Sequence, residues 1–466
     1  MTIPAARFSL AATREVVRVS VPLMLGMAGN LILMLVDRIC LARYSPETLA
    51  ASGPAVFTSG TLIMLATGTV GITRAYVAQA HGRQDRAGII NEGANGLLLG
   101  AVVAAVLLLC TPLLVMVPKL SGQPEAIQAL ESQFLGLATT FGAVMTLNMA
   151  LASFFNGQGR TRVPMTIGLI GQAVGVVATP SLVFGLFGLP ELGMRGSAFG
   201  TLTATGVMFA GYVICLPSGF SAGLGRLWRR GAGPVIKDFW LRFRRGAPSG
   251  GAAGLDELGN TSFVWLAGVL GAVALTANNV AVSLNYLAVI PPIGLAMGCG
   301  VLCGRAIGAG EYERIPSIIR VVLTVAGLYV GVIAFLQIVT PTLLLAPFGI
   351  NEVGPEAVHT AVATSRVLWT YAVAFMFSIV ATAVLDCLGL ARYGFVTRVV
   401  VMWGLSVPTI GLIALTHRGD PSVLPLVWAV YSGYEAIIAA ICYRRIRRAI
   451  ANRENRLHDL AVSQSV

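Results

Sequence analysis

Residues 92–117 read EGANGLLLGAVVAAVLLLCTPLLVMV, and no charge follows Glu92 before the run ends at Val117. About 20 predominantly apolar residues suffice for a helix to cross the hydrocarbon of a bilayer. Lipid offers no partner to backbone N–H and C=O groups, so a segment of this kind closes its hydrogen bonds internally as a helix. Outward from this stretch the pattern repeats, at about 17–42, 50–77, 130–155, 163–188, 195–217, 250–273, 276–302, 318–345, 362–387, 395–416 and 422–443. The reading is therefore an all-α integral membrane protein with twelve transmembrane helices. Composition agrees: of 466 residues 56% are apolar and 11% charged, against about 25% charged in soluble domains. That balance excludes a disordered chain, a nucleic-acid binder built on a basic surface, and most soluble enzymes. The first stretch is too long for a signal peptide, lacks a small-residue cleavage site, and carries Asp37 in its outer part.

The basic residues test the count. Lys+Arg number 32 against 20 Asp+Glu, a net charge of +12. Twelve spans put both termini and every second loop on one side, and that side receives 26 of the 32 basic residues. Arg38, Arg43, Lys119, Arg195, Arg366 and Arg418 remain for the other. Positive charge accumulates on the cytoplasmic side, so both termini are expected there.

The longest polar stretch, 218–248, holds Arg226, Arg229, Arg230, Lys237, Arg242, Arg244 and Arg245 and divides the spans six and six. It reads as a basic cytoplasmic linker, solvated or in contact with lipid headgroups. The predicted organisation is an N-terminal six-helix lobe over 1–217, the linker, a C-terminal six-helix lobe over 249–443, and a basic tail over 444–466. Gly68 and Gly82 recur as Gly294 and Gly308, Ala80 as Ala306, and Leu49 and Ala51 as Leu275 and Ala277, all at one offset. Six spans per half make these parallel repeats, two pseudo-symmetric bundles around a central cavity.

Several segments resemble the multidrug and toxic compound extrusion (MATE) family in its bacterial form. They are NLILMLVDRICLARYSPETLAASGPAV at 30–56, FFNGQGRTRVP at 154–164, the region 246–310 from GAPSGGAAGLDELGN to PPIGLAMGCGVLCGRAIGAG, and YSGYEAIIAAICYRRIRR near the C-terminus. The resemblance implies a secondary active efflux antiporter of the bacterial inner membrane. It would export cationic or amphipathic small molecules in exchange for H⁺ or Na⁺ by alternating access, with no cofactor and no ATP. A monomer amid membrane lipids, with no nucleic-acid partner, is expected.

Five acids fall inside spans: Asp37, Asp256, Glu257, Asp386 and Glu435. A carboxylate at the centre of a bilayer helix costs about 2.5–3.5 kcal/mol on insertion scales, so each is a functional candidate. The resemblance assigns Asp37 the coupling role of the family's first-helix acid. The alternative is an ion pair with Arg38 or Arg43, although adjacent helix positions diverge by about 100° and disfavour Arg38. Asp256 aligns with the family's seventh-helix acid, and Glu257 beside it faces elsewhere. On the tenth helix Tyr371 matches, but the acid expected four residues on is Phe375, which weakens a Na⁺ site and favours protons. On the fifth, the expected Asn and Asp are Gly175 and Thr179, so Gln172 and Asn156 are candidates for a reduced polar network. Asp386 reads as a pairing partner for Arg392, and Glu435 as a structural or gating residue.

The substrate-binding residues are not assigned by the sequence. Two other functions compete. A lipid-linked oligosaccharide flippase of the same superfamily would place several Arg or Lys in its cavity, whereas these spans are nearly free of them. An integral-membrane enzyme needs a nucleophile–base pair or a metal cluster, and the four histidines lie in loops, helix ends or the tail.

Overall fold

The computed structural model describes residues 10–120, 125–229, 231–345 and 355–464. Among them there is no strand. In chain order the helices are α1 (Leu10–Tyr44), α2 (Pro46–Gly71), α3 (Thr73–Gly82), α4 (Arg86–Leu109), α5 (Thr111–Met116), α6 (Glu125–Gly157), α7 (Arg162–Phe184), α8 (Met194–Ile214) and α9 (Phe220–Arg229). They continue as α10 (Ala232–Val269), α11 (Ala272–Ala309), α12 (Arg314–Val339), α13 (Pro341–Leu345), α14 (Pro355–Cys387), α15 (Ala391–Val401), α16 (Val407–Thr416) and α17 (Leu424–Gln464). Polar caps mark the boundaries. Ser45 Oγ accepts from the Thr48 amide at 3.1 Å, with Pro46 at the first helical position. Asp85 accepts from the Gly88 amide at 2.8 Å. Asp420 caps the turn into α17, and the Ser422 hydroxyl and amide hold its carboxyl below the usual range. Such caps satisfy N–H groups that the first helical turn leaves free.

Eleven helices among the described residues are long and apolar enough to cross a membrane. The twelfth expected span, 250–273, carries a weaker apolar signal than these. Its residues fall mostly in α10, which is helical to Val269 but is not among the eleven. The reason is packing. Gly246, Gly250 and Gly254 recur every fourth residue, and a Cβ on any of them would press on α2 at Thr69, Leu65 or Thr61. Glycines at this spacing let two membrane helices approach backbone to backbone. Close approach, together with Asp256, Glu257 and Asn260, displaces the bulky apolar residues that a span normally carries.

The chain forms two compact units. One is Leu25–Leu258; the other joins residues up to Met24 with those from Gly259 onward. The boundaries cut inside α1 and α10, so each of these helices contributes to both units. In the second unit the first half of α1 seats on α11, where Gly294 faces Met24 and Gly298 faces Ser20. Stretch 218–248, expected as a linker, is mostly helical: α9 and the first half of α10 lie within the Leu25–Leu258 unit.

Prolines inside helices need compensation. Pro291 has no N–H to give the Leu287 carbonyl four residues back. The Tyr329 hydroxyl from α12 donates to that carbonyl at 2.7 Å. A π-helical turn, Met402–Ser406, joins α15 to α16.

Candidate functional site

In the Leu25–Leu258 unit, Asp37 lies two turns before the end of α1, half-buried. The described residues give it no ion pair, and Arg38 points outward, exposed. The Ser197 hydroxyl from α8 faces the carboxylate. Neither Asp37 Oδ1 nor Ser197 Oγ completes a hydrogen bond among the described residues. Small residues make this niche possible. A Cβ on Gly200 of α8 would collide with Thr179 of α7, and one on Gly175 would meet Leu33 of α1 and Ala204 of α8. Gly175 and Thr179 therefore serve close packing of α1, α7 and α8.

Gln172 donates from Nε2 to the Gly26 carbonyl at 3.2 Å and lies against Gly29, strapping α7 to α1. Gly26 precedes Asp37 by about 16 Å along the helix, at 1.5 Å per residue. Asn156 is buried next to the last residue of α6, at the end where α7 begins. Tyr44, beyond Asp37, packs at a tilt against Phe184 at the other end of α7. The length of α7, about 34 Å by helix rise, separates those two ends. Asp256 and Glu257 belong to the same unit; Glu257 faces α2, its Oε1 3.8 Å from where a Cβ on Gly60 would stand.

Tyr371 belongs to the other unit and is buried among aromatic rings. Its ring stacks on Phe375 at 5.7 Å and on Tyr431 at 5.1 Å, and meets Trp428 edge-on at 5.5 Å. Phe263 closes the cluster against Trp428 and Tyr431. Two amides hold its polar tips: Trp428 Nε1 donates to Asn278 Oδ1 at 3.1 Å, and the Tyr431 hydroxyl to Asn260 Oδ1 at 3.3 Å. Phe375, standing where an acid was expected, thus completes a ring stack. Asp386 sits next to the last residue of α14, half-buried.

One group is not foreseen by the sequence reading. Arg398 of α15 and Glu435 of α17, both at most 5% exposed, approach to 3.7 Å. Arg398 also donates to Ser378 Oγ of α14 at 2.7 Å, so three helices meet at one buried charge pair. A signal exists in the sequence: Arg398 falls inside the expected span 395–416, although the charge sorting places it with the cytoplasmic loops. Opposite charges inside spans are expected to find each other.

A strand-free set of spanning helices in two compact units, with an isolated acid in the first span, is the architecture of a membrane transporter. The match to known proteins makes the class specific: the chain belongs to the MatE family, whose model covers residues 22–180 and 255–410. It is 26% identical to the probable multidrug resistance protein NorM of Pseudomonas putida, over 92% of this chain and 93% of that one. With the multidrug resistance protein PmpM of Pseudomonas aeruginosa it shares 25% identity, over 94% and 92%. In fold it is similar to an outward-facing multidrug resistance MATE family transporter of the MOP superfamily, with TM-score 0.83, 18% identity and coverage of 95% and 96%. A MOP superfamily transporter from Pyrococcus furiosus superposes with TM-score 0.82, 19% identity and coverage of 94% and 96%. The two relatives are named for multidrug resistance and both solved structures are transporters; this chain is a transporter of that family and not an enzyme.

Proposed function

We propose that this chain is a secondary active antiporter. It exports cationic or amphipathic small molecules in exchange for H⁺ or Na⁺, with Asp37 as the principal coupling residue and both termini cytoplasmic. The observation that carries the reading is the state of Asp37: an acid inside a span, facing one hydroxyl, with no ion pair among the described residues. A carboxylate held structurally in a membrane is normally paired, as Glu435 is here. An acid left without a counter-charge is free to exchange its proton or cation with one compartment and then the other. Asp256 and Glu257, one turn from the unit boundary in α10, are the secondary candidates. Phe375 in place of an acid leaves Tyr371 no carboxylate at that position, which favours protons over Na⁺, a hard cation wanting several oxygen ligands. Asn156 and Gln172 lie too far along the unit to extend the Asp37 site, and their part is structural.

The test reconstitutes the protein in liposomes, imposes ΔpH or ΔNa⁺ separately, and follows efflux of a fluorescent cation. The expected result is efflux driven by ΔpH and not by ΔNa⁺ alone. Efflux indifferent to both gradients would refute antiport.

A further inference from the structure

The basic stretch after the sixth span, which runs through α9 into the first half of α10, has an organised face. Residues 218–248 contain seven basic residues and one acid, Asp238. Arg242 turns inward: it is buried, pairs with Glu92 at 2.7 Å and lies over the Tyr76 ring, while Arg245 donates to the Tyr76 hydroxyl at 3.1 Å. These contacts fix the rotation of α10 against the Leu25–Leu258 unit. At 100° per residue, Ile236, Lys237, Trp240 and Arg244 then share an arc of about 100° on a face turned away from Arg242. All four are exposed, Ile236 at 64% and Trp240 at 54%. Trp240 is braced by Phe243, ring centroids 5.5 Å apart. On the neighbouring α9, Phe220 and Leu227 are buried while Arg226 and Arg229 are exposed.

An exposed Trp and Ile flanked by Lys and Arg is a poor surface for water alone. Tryptophan favours the headgroup layer, and basic amphipathic helix faces favour anionic leaflets. The depth fits. Trp240 precedes by six residues, about 9 Å of helix, the point where Gly246 locks α10 onto Thr69 of α2. From there α10 continues as a helix to Val269.

We propose that the Ile236–Lys237–Trp240–Arg244 face of α10, supported by Arg226 and Arg229 of α9, binds the headgroups of anionic phospholipids. Trp240 seats at the carbonyl level and the basic side chains hold lipid phosphates. The partner is the anionic leaflet, because the apolar side chains of the face have no use for a soluble anion.

The experiment uses the full chain reconstituted in phosphatidylcholine vesicles. Trp240 emission is isolated as the difference between wild type and Trp240→Phe. Phosphatidylglycerol and phosphatidylcholine, each spin-labelled near the carbonyls, are compared as quenchers at equal mole fraction. The expected result is stronger quenching by the labelled phosphatidylglycerol. That preference should fall about fivefold for each charge removed in Lys237→Gln and Arg244→Gln, from roughly 1 kcal/mol per basic residue, and vanish in 0.5 M salt on the order of a 4 Å screening length. Each single variant is read against its own melting temperature, so a folding defect is visible. Equal quenching by the two lipids, a preference that survives both substitutions, or competition by inorganic phosphate as effective as by lipid would overturn the proposal.

Discussion

Two acids inside spans, one in each compact unit, have been given opposite surroundings. Glu435 sits opposite Arg398, which is itself held by Ser378, and three helices close around the pair. Asp37 has a serine hydroxyl before it and no ion pair among the described residues. The first arrangement uses charge to fix helices; the second leaves a charge unused by the fold. An acid left unpaired in a membrane costs stability, which is the ground on which we propose a transport role for Asp37. The glycine seats offer a parallel contrast. α10 rests on α2 through backbone atoms, whereas Gly298 of α11 meets the Ser20 side chain of α1.

Substitutions that attack this contrast have graded outcomes. The largest effect is expected at the buried pair. Glu435→Ala strands the Arg398 guanidinium and should cost about 3–5 kcal/mol of stability, read as a lowered melting temperature in detergent. The double variant Arg398→Met with Glu435→Leu should recover most of that loss. Asp37→Asn should leave the melting temperature unchanged or raised, since it removes an unpaired charge. Next, Gly250→Ala puts a methyl against the Leu65 carbonyl and the Thr69 backbone, which cannot yield, and should cost about 1–3 kcal/mol. Gly298→Ala should cost less, because the Ser20 hydroxyl can rotate away. Smallest is Tyr329→Phe, which leaves the Leu287 carbonyl beside Pro291 unpaired and should cost about 1 kcal/mol by the same melt. If Glu435→Ala and Asp37→Asn destabilise equally, the two acids do not differ as described.

The sequence made the membrane class and most helices legible, because apolar runs of bilayer length leave no other backbone solution. Asp37 was legible for the same reason: one acid stands out in a greasy run. The span is least legible at α10, where glycines that allow close approach to α2 and three polar residues depress the apolar signal that spans share. Units cut inside α1 and α10 were also out of reach, since which half of a helix docks where depends on glycine seats in distant segments. Arg398 and Glu435 were each visible, but their meeting through α14 and α15 is a tertiary fact. Phe375 shows the limit from the other side. Its departure from the expected acid was plain, while the ring stack it completes with Tyr371 and Tyr431 depends on how distant helices pack.

The central claim is that Asp37 couples substrate movement to an ion gradient while contributing nothing to the fold. It is tested most directly by comparing wild type and Asp37→Asn in proteoliposomes in two assays, uphill efflux driven by a proton gradient and downhill exchange of substrate at equal pH. The account predicts that the Asp37→Asn variant loses uphill efflux and retains downhill exchange and its melting temperature. Uphill efflux at the wild-type rate in that variant would contradict it.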